Sequence, residues 1–369
     1  MQIIDKTITL PKDSLDALDT FLRTSGEAYC IFDIETTGLS PKVSSLYLIG
    51  ALWFHPEDRQ FHTRQWFADD YISEEEILTS FRTFLKDFTV LVHYNGSGFD
   101  IPYIEKKCRE HSLLSPFAAV KSLDIYREIK PLKSLFDVPD LKLFTVEKLA
   151  GFLRKDVLTG KDCIDTYSRF MQKKYFRDES KELEKEKLLL HNLEDIMGTY
   201  ISAQLLFYKC SGVVLNSLIP DSISETDTSL NLSIPVPFSF PFPAKKEKDF
   251  FSSAFQEKEI LITLAFYTGT LRHFFKNYKD YFYLPAEDTA IHKSVGSYVD
   301  REFREPAKAS NCYVKKDGIF LPVPPDFSRE NIPLFRLDYK SRQNYILWDQ
   351  KTKQDSSLWG EILQLLLSD

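Results

Sequence analysis

An α/β fold, a mixed sheet covered by helices, is what the order of elements along this chain predicts, and two observations carry that prediction. Runs of strand length, rich in β-branched and aromatic residues, follow one another up to about residue 68 and recur near 90. After them, apolar residues three and four apart mark helices that can cover such a sheet.

Residues 1–10 read as a short strand, and "DSLDALDTFLRT" as a helix with Leu15, Leu18 and Leu22 on one side. "AYCIFDIE" is apolar enough for a central strand covered on both faces. "SLYLIGALWFH" and "QFHTRQWFA" follow as strands around the turn-like "PEDR". "SEEEILTSFRTFLKDF" starts like a helix, with Ser73 and Glu76 at capping-box spacing. "TVLVHYNG" is a buried-type strand that runs into a helix from about Phe99, and "KSLDIYREI" is strand-like. Helices are expected over 145–153 and 162–174, and a long one over 180–209 closed by Gly212.

Residues 1–213 therefore form one α/β domain. Residues 214–256, rich in Ser, Pro and Phe and without helical period, read as a linker. The stretch 257–369 reads as a smaller α+β accessory domain. It contains a hairpin around Thr268-Gly269, a helix over 284–304, a hairpin turning at Asp317-Gly318, and a closing helix in "LWGEILQLLLS".

The formal charge of −7 argues against a polyanion partner recruited by bulk charge, though carboxylates cancelled by metal leave local binding open. Cys30, Cys108, Cys163, Cys210 and Cys312 are scattered singly, as expected of reduced core thiols in a cytoplasmic protein. No signal peptide and no run long enough for a membrane span is read from the sequence.

Three acidic motifs carry the chemistry. In "IFDIETTGLS", Asp33 and Glu35 lie on one face of a strand leaving an apolar run, where two carboxylates repel unless something positive sits between them. In "HYNGSGFDIPYIEKK", Asp100 opens a helix after a buried strand; capping of that helix is the competing reading. In "LLLHNLEDIMGTY", His191 and Asp195 are four apart on a largely apolar helix, and an exposed His–Asp pair is the alternative there. Strand ends and helices over one sheet can bring these four acids together, and hard divalent cations, Mg²⁺ or Mn²⁺, are the natural counter-charge.

"FDIETTGL", "YNGSGFD.P" and "HN..D", in that order, resemble the DEDD (DnaQ-like) superfamily of 3′–5′ exonucleases and its bacterial YprB-type branch, over roughly residues 25–210. The resemblance implies an RNase H-like fold with a mixed five-stranded sheet, and two divalent cations held by Asp33, Glu35, Asp100 and Asp195. It also implies hydrolysis of DNA or RNA phosphodiesters from a 3′ end. In that family a general base precedes the last Asp, as His five residues before it or as Tyr four before it. Here His191 is the first residue type at the second spacing, which leaves open whether it is base or positioner. By the same resemblance Thr36, Thr37 and Leu39 would lie near the terminal nucleotide and Asn95 and Phe99 beside the cleft; turn closure and core packing are the alternatives for them. A catalytically silent RNase H-like module that binds nucleic acid or protein is the competing function. In the C-terminal region, Lys293, Arg301, Arg304, Lys308, Lys315 and Lys316, interleaved with Tyr298, Phe303 and Tyr313, suggest either a nucleic-acid grip or a solvated charged face.

Overall fold

In the computed structural model of the protein, residues 1–22, 27–209, 223–248 and 250–368 are described, in two compact units: 1–208 with 240–242, and 209–239 with 243–369. The first is built on six strands: β1 (Gln2–Ile8), β2 (Tyr29–Thr36), β3 (Leu46–His55), β4 (Gln60–Phe67), β5 (Val90–His93) and β6 (Lys121–Asp124). Their order across the sheet is β1-β4-β3-β2-β5-β6. Strands β2, β3 and β4 pair antiparallel with one another in sequence, as short connections allow, whereas β5 pairs parallel with β2 and β6 parallel with β5 because a helix intervenes before each. The sheet is mixed as expected, with six strands rather than five; the sixth is β1, which pairs with β4 at the edge.

The helices are α1 (Asp13–Leu22), α2 (Glu74–Phe84), α3 (Asp100–Glu110), α4 (Ile125–Ile129), α5 (Lys133–Phe136), α6 (Leu143–Leu149), α7 (Gly160–Tyr175) and α8 (Lys181–Ser202). On one face of the sheet Phe32 and Trp66 pack on Phe81 of α2, ring centroids 5.8 and 5.6 Å away. On the other, Phe67 meets Tyr167 and Phe170 of α7, and α8 crosses β2 and β3. The capping box expected at Ser73 is absent. The Ser73 hydroxyl donates to Asp70 and accepts from the N-terminal amine, and Glu74, not Glu76, is the buried acid of that turn. A capping box does start α7, between Thr159 and Asp162. The long helix ends at Ser202 and passes into a 3₁₀ turn over Ala203–Leu206; Cys210 and Gly212 lie outside the described residues. The four described cysteines are buried and free. No helix among the described residues is long and apolar enough to cross a membrane.

The second unit departs most from expectation. The stretch read as a linker supplies β7 (Ile223–Glu225), β8 (Ser229–Pro235), β9 (Ala244–Lys248) and β10 (Phe251–Gln256), which form an antiparallel sheet with β11 (Glu259–Ala265) in the order β7-β8-β11-β10-β9. Leu230, Leu232 and Ile234 are buried while the Ser and Asn between them are not, a two-residue alternation hidden beneath a loop-like composition. The expected hairpin at Thr268-Gly269 is absent. The chain changes sheet at Phe266, and Gly269 stands inside β12 (Tyr267–Phe274) opposite Gly318. Residues 284–304 do not form one helix either: β13 (Tyr281–Leu284) turns into β14 (Thr289–His292) through Pro285 and a left-handed Asp288, and β13 also pairs with β15 (Glu305–Pro306). Asp317-Gly318 makes no turn and lies within the eleven-residue β16 (Tyr313–Val323), between β12 and β17 (Asn344–Leu347). The closing helix spans Ser356–Ser368.

Because Phe81 is fully buried between Phe32 and Trp66, Phe81→Ala leaves a cavity at the centre of the first unit. The expected loss is about 3–5 kcal/mol in urea unfolding.

Candidate metal centre

Strand β2 sits in the middle of the sheet, and its two-residue alternation turns Asp33 and Glu35 toward the face that α8 covers. Helix α8 brings His191, Asn192 and Asp195 over them. Asp33, Glu35 and Asp195 each offer a carboxylate oxygen, the three within 4.8 Å of one another. Asp100, buried at the first turn of α3, is close enough for its charge to raise the pKa of both Asp33 and Glu35. The loop before it is pinned by buried Asp124 at the end of β6, whose carboxylate accepts the Asn95 N–H at 2.9 Å and the Ser97 N–H at 3.3 Å. All four predicted acids and His191 therefore meet at one place.

The electrostatics follow from that crowding. Burial, then the charges of Asp195, Asp100 and Glu35, push the Asp33 carboxyl well above the carboxylate range, against the pull of its Asn192 hydrogen bond. Glu35 is pushed up to about 8 by burial, with His191 opposing and Asp195 and Asp100 adding. Burial takes Asp100 to about 7, although backbone hydrogen bonds at Asp100 and Ile34 oppose it. Oxygen ligands, negative charge in excess of its local compensation, and burial together fit a hard divalent cation.

Sequence reasoning missed the supporting residues. Asn192 donates to Asp33 Oδ2 at 3.1 Å and accepts from Gln65 at 2.9 Å, which locks α8 to the sheet. Gly50, beside Asp33 on β3, is what lets the amide approach, since a Cβ there would collide with it. The connection 150–159 is held on α8 by Glu194, which accepts the N–H groups of Lys155 and Asp156. From that connection Asp156 reaches His191 Nδ1 at 2.6 Å, and the Arg154 guanidinium bridges Asp195 and the buried Glu147. Glu147 in turn fits against α8 only because residue 198 is Gly. Nothing in the spacing of "GFLRKDVLTG" ties it to positions 191–195.

With Nδ1 bonded to a carboxylate, His191 turns Nε2 inward, 3.6 Å from both Glu35 Oε1 and Asp195 Oδ2. Burial lowers its pKa, but the charges of Asp195, Glu35 and Asp156 outweigh it and leave the group raised. Cys163 also lies beside Glu35 and His191, but burial drives its thiol pKa far up, so it packs as a neutral thiol.

The five remaining candidates divide. Asn95, exposed and left-handed at φ 58°, lines an open cleft of about 500 Å³ with Asp33, Tyr94, Tyr126 and Lys142. Leu39 is 82% exposed and contributes nothing to the core. Thr36 donates to the Gly38 carbonyl and Thr37 accepts from the Ser45 N–H, both closing the turn after β2. Phe99 packs against the core and Tyr103.

Residues 30–204 match the family model RNase_H_2 of the RNase_H superfamily. Together with the mixed sheet and its covering helices, this decides the fold. The first unit is an RNase H-like domain. No curated protein matches the chain. Solved structures that resemble it include the family B DNA polymerase of Pyrobaculum calidifontis, at 13% identity and TM-score 0.37, covering 70% of this chain and 35% of that one. The zinc-bound E. coli ExoI–ssDNA complex is similar at 12% identity and TM-score 0.32, covering 62% and 54%. E. coli exonuclease I with a dT13 oligonucleotide is similar at 9% identity and TM-score 0.34, covering 93% and 72%. The chain thus spans about a third of the polymerase.

The raised carboxyl groups make a prediction for the RNase H-like domain. A carboxyl that holds its proton more tightly folded than unfolded stabilises the fold below its unfolded pKa, and that stability is lost as pH rises through the folded value. Without divalent cations, thermal stability should fall as pH climbs from about 4.5 toward 8. Added Mn²⁺, which competes with those protons, should raise the melting temperature more at the alkaline end. Gly50→Ala should shrink that Mn²⁺ effect by displacing Asn192 from Asp33.

Proposed function

We propose that the RNase H-like domain is a metal-dependent nuclease that hydrolyses phosphodiester bonds of DNA or RNA from the 3′ end, as the DEDD resemblance implies. The convergence of Asp33, Glu35 and Asp195, with Asp100 beside them, is the single observation that carries this reading. A surface cluster would need no such arrangement: these groups come from a central strand and two helices and are held against strong mutual repulsion.

Asp33, Glu35, Asp100 and Asp195 would hold two divalent cations, Mg²⁺ or Mn²⁺. Such cations supply Lewis acidity that makes a water more acidic and stabilises charge on the departing oxygen. The chain's own part is positional. Asn192 fixes the Asp33 carboxylate, and Arg154 fixes that of Asp195. Asp156 takes the Nδ1–H of His191 and so leaves the Nε2 lone pair facing the cluster, where it can accept the proton of the attacking water. The departure in spacing is compatible with that base role, since Nε2 reaches the acids from four residues before Asp195. The cleft at Asp33 offers Tyr94, Tyr126, Asn95 and Lys142 to a terminal nucleotide: aromatic faces for a base, a cation for a phosphate. Exposed Leu39 is available as an apolar contact. In the second unit Tyr298 and Phe303 are exposed among its basic residues, whereas Tyr313 is buried.

The test is incubation with 3′- and 5′-labelled DNA and RNA oligonucleotides in Mn²⁺, Mg²⁺ or EDTA. The expected outcome is stepwise shortening from the 3′ end, abolished by EDTA, by Asp33→Asn and by Asp195→Ala while far-UV circular dichroism is unchanged. Full activity in either variant would overturn the reading. His191→Ala should lower turnover by about 10²–10⁴-fold, the usual worth of general-base catalysis, and flatten the acid limb of the pH–rate profile. Asp156→Asn should lose part of the same factor.

A further inference from the structure

A second cluster of ligating side chains lies on the β3–β4 hairpin and takes no part in the chemistry above. We infer that His55, Asp58 and His62 form a binding site for a borderline transition-metal ion, Zn²⁺ foremost, with an open fourth position.

Each of the three residues offers one ligand atom, and these atoms lie within 4.8 Å of one another. The hairpin builds the arrangement. His55 pairs with Gln60 and Trp53 with His62, so the two imidazoles are diagonal neighbours on one face, ring centroids 5.4 Å apart. The turn of residues 56–59 closes with the Arg59 N–H donating to the His55 carbonyl, and with Arg59 left-handed at φ 59°. That closure turns Asp58 back over the strands, and its carboxylate divides between the two rings. Oδ2 lies 2.7 Å from His62 Nε2, and Oδ1 lies 3.5 Å from His55 Nδ1.

An independent observation makes this more than a surface ion pair. His55 Nδ1 is shielded from solvent and has no hydrogen-bond partner, although the ring itself is partly exposed. A buried polar atom left without a partner costs free energy, and this one is aimed at the same carboxylate that His62 already engages. Ligands at about 2.0–2.2 Å around a tetrahedral ion are about 3.4 Å apart. The 3.5 Å from His55 Nδ1 to Asp58 Oδ1 is close to that value; an ion held through Oδ1 takes His62 Nε2 off Oδ2, and the proton of that hydrogen bond leaves as the ion enters.

The donor set selects the ion. Two imidazole nitrogens and one carboxylate oxygen suit Zn²⁺, and also Cu²⁺ and Ni²⁺, whereas Mg²⁺ and Ca²⁺ call for oxygen throughout. The hairpin therefore discriminates against the ions that the carboxylate cluster favours. His62 stacks on Trp53, centroids 5.7 Å apart, which places a fluorophore beside the ion.

The experiment uses full-length protein carrying Asp33→Asn and Asp195→Asn, in excess Mg²⁺, so that uptake at the other cluster is removed whether or not that cluster is catalytic. Titration with Co²⁺ should give the intense visible absorption of four-coordinate cobalt at one equivalent, and Zn²⁺ should bleach it. Cu²⁺ should quench Trp53, with the quenching lost in Trp53→Phe. His55→Gln and His62→Gln should each weaken Zn²⁺ binding at least about tenfold, the loss that even outer-shell changes produce. In the unsubstituted hairpin, Zn²⁺ should shift the imidazole NMR signals of both histidines, a readout that does not depend on how the variants fold. No saturable uptake, uptake unchanged in both histidine variants, or unmoved imidazole signals would each overturn the inference.

Discussion

Mutual repulsion among the carboxylates of Asp33, Glu35, Asp100 and Asp195 is the constraint around which the RNase H-like domain is arranged. Left alone, such a cluster would open into water. It is instead placed at the centre of a sheet and roofed by α8, and the pKa values of Asp33, Glu35 and Asp100 rise because burial and the neighbouring negative charges outweigh the positive charge at hand. The Arg154 guanidinium is shared between Asp195 and Glu147 and cannot balance the rest. A site that destabilises its own fold in this way has a use for what would relieve it.

The surrounding structure reads as a set of devices that keep the acids where they are. Asn192 and Gln65 tie α8 to β2 and β4, and Gly50 of β3 gives the Asn192 amide its room. Asp124 sets the loop that delivers Asp100, with neutral His93 bracing the same turn through the Gly96 N–H. Glu194 carries the connection that brings Arg154 and Asp156 to the site from one side. Each device is a buried polar group with its partners satisfied, which specifies one geometry rather than a range of them.

How much of this was legible in the sequence depended on whether the signal was local. The long strands and helices of the first unit were readable because their apolar period is sustained, and the four acids because each stood near an apolar run; the short α4 and α5 were not, and Ile125–Ile129, read with Lys121–Asp124 as strand-like, turns helical where Asp124 caps it. Asp156 and Arg154 were not readable: they occupy an irregular connection whose position is set by Glu194, thirty-eight or more residues away. The second unit misled for a different reason. Its Ser- and Pro-rich strands look like a linker, its Asp-Gly and Thr-Gly pairs look like turns, and only sheet partners distant in sequence reveal Gly269 and Gly318 facing each other within extended strands. The Ser73 capping box failed because Asp70, three residues upstream, competes for the same hydroxyl.

The central claim, that these four acids exist to hold divalent cations, is tested most directly by anomalous diffraction from crystals of the protein grown with Mn²⁺. The account predicts manganese peaks bounded by Asp33, Glu35, Asp100 and Asp195. A map with no anomalous density among those residues, at Mn²⁺ concentrations that saturate ordinary carboxylate sites, would contradict it.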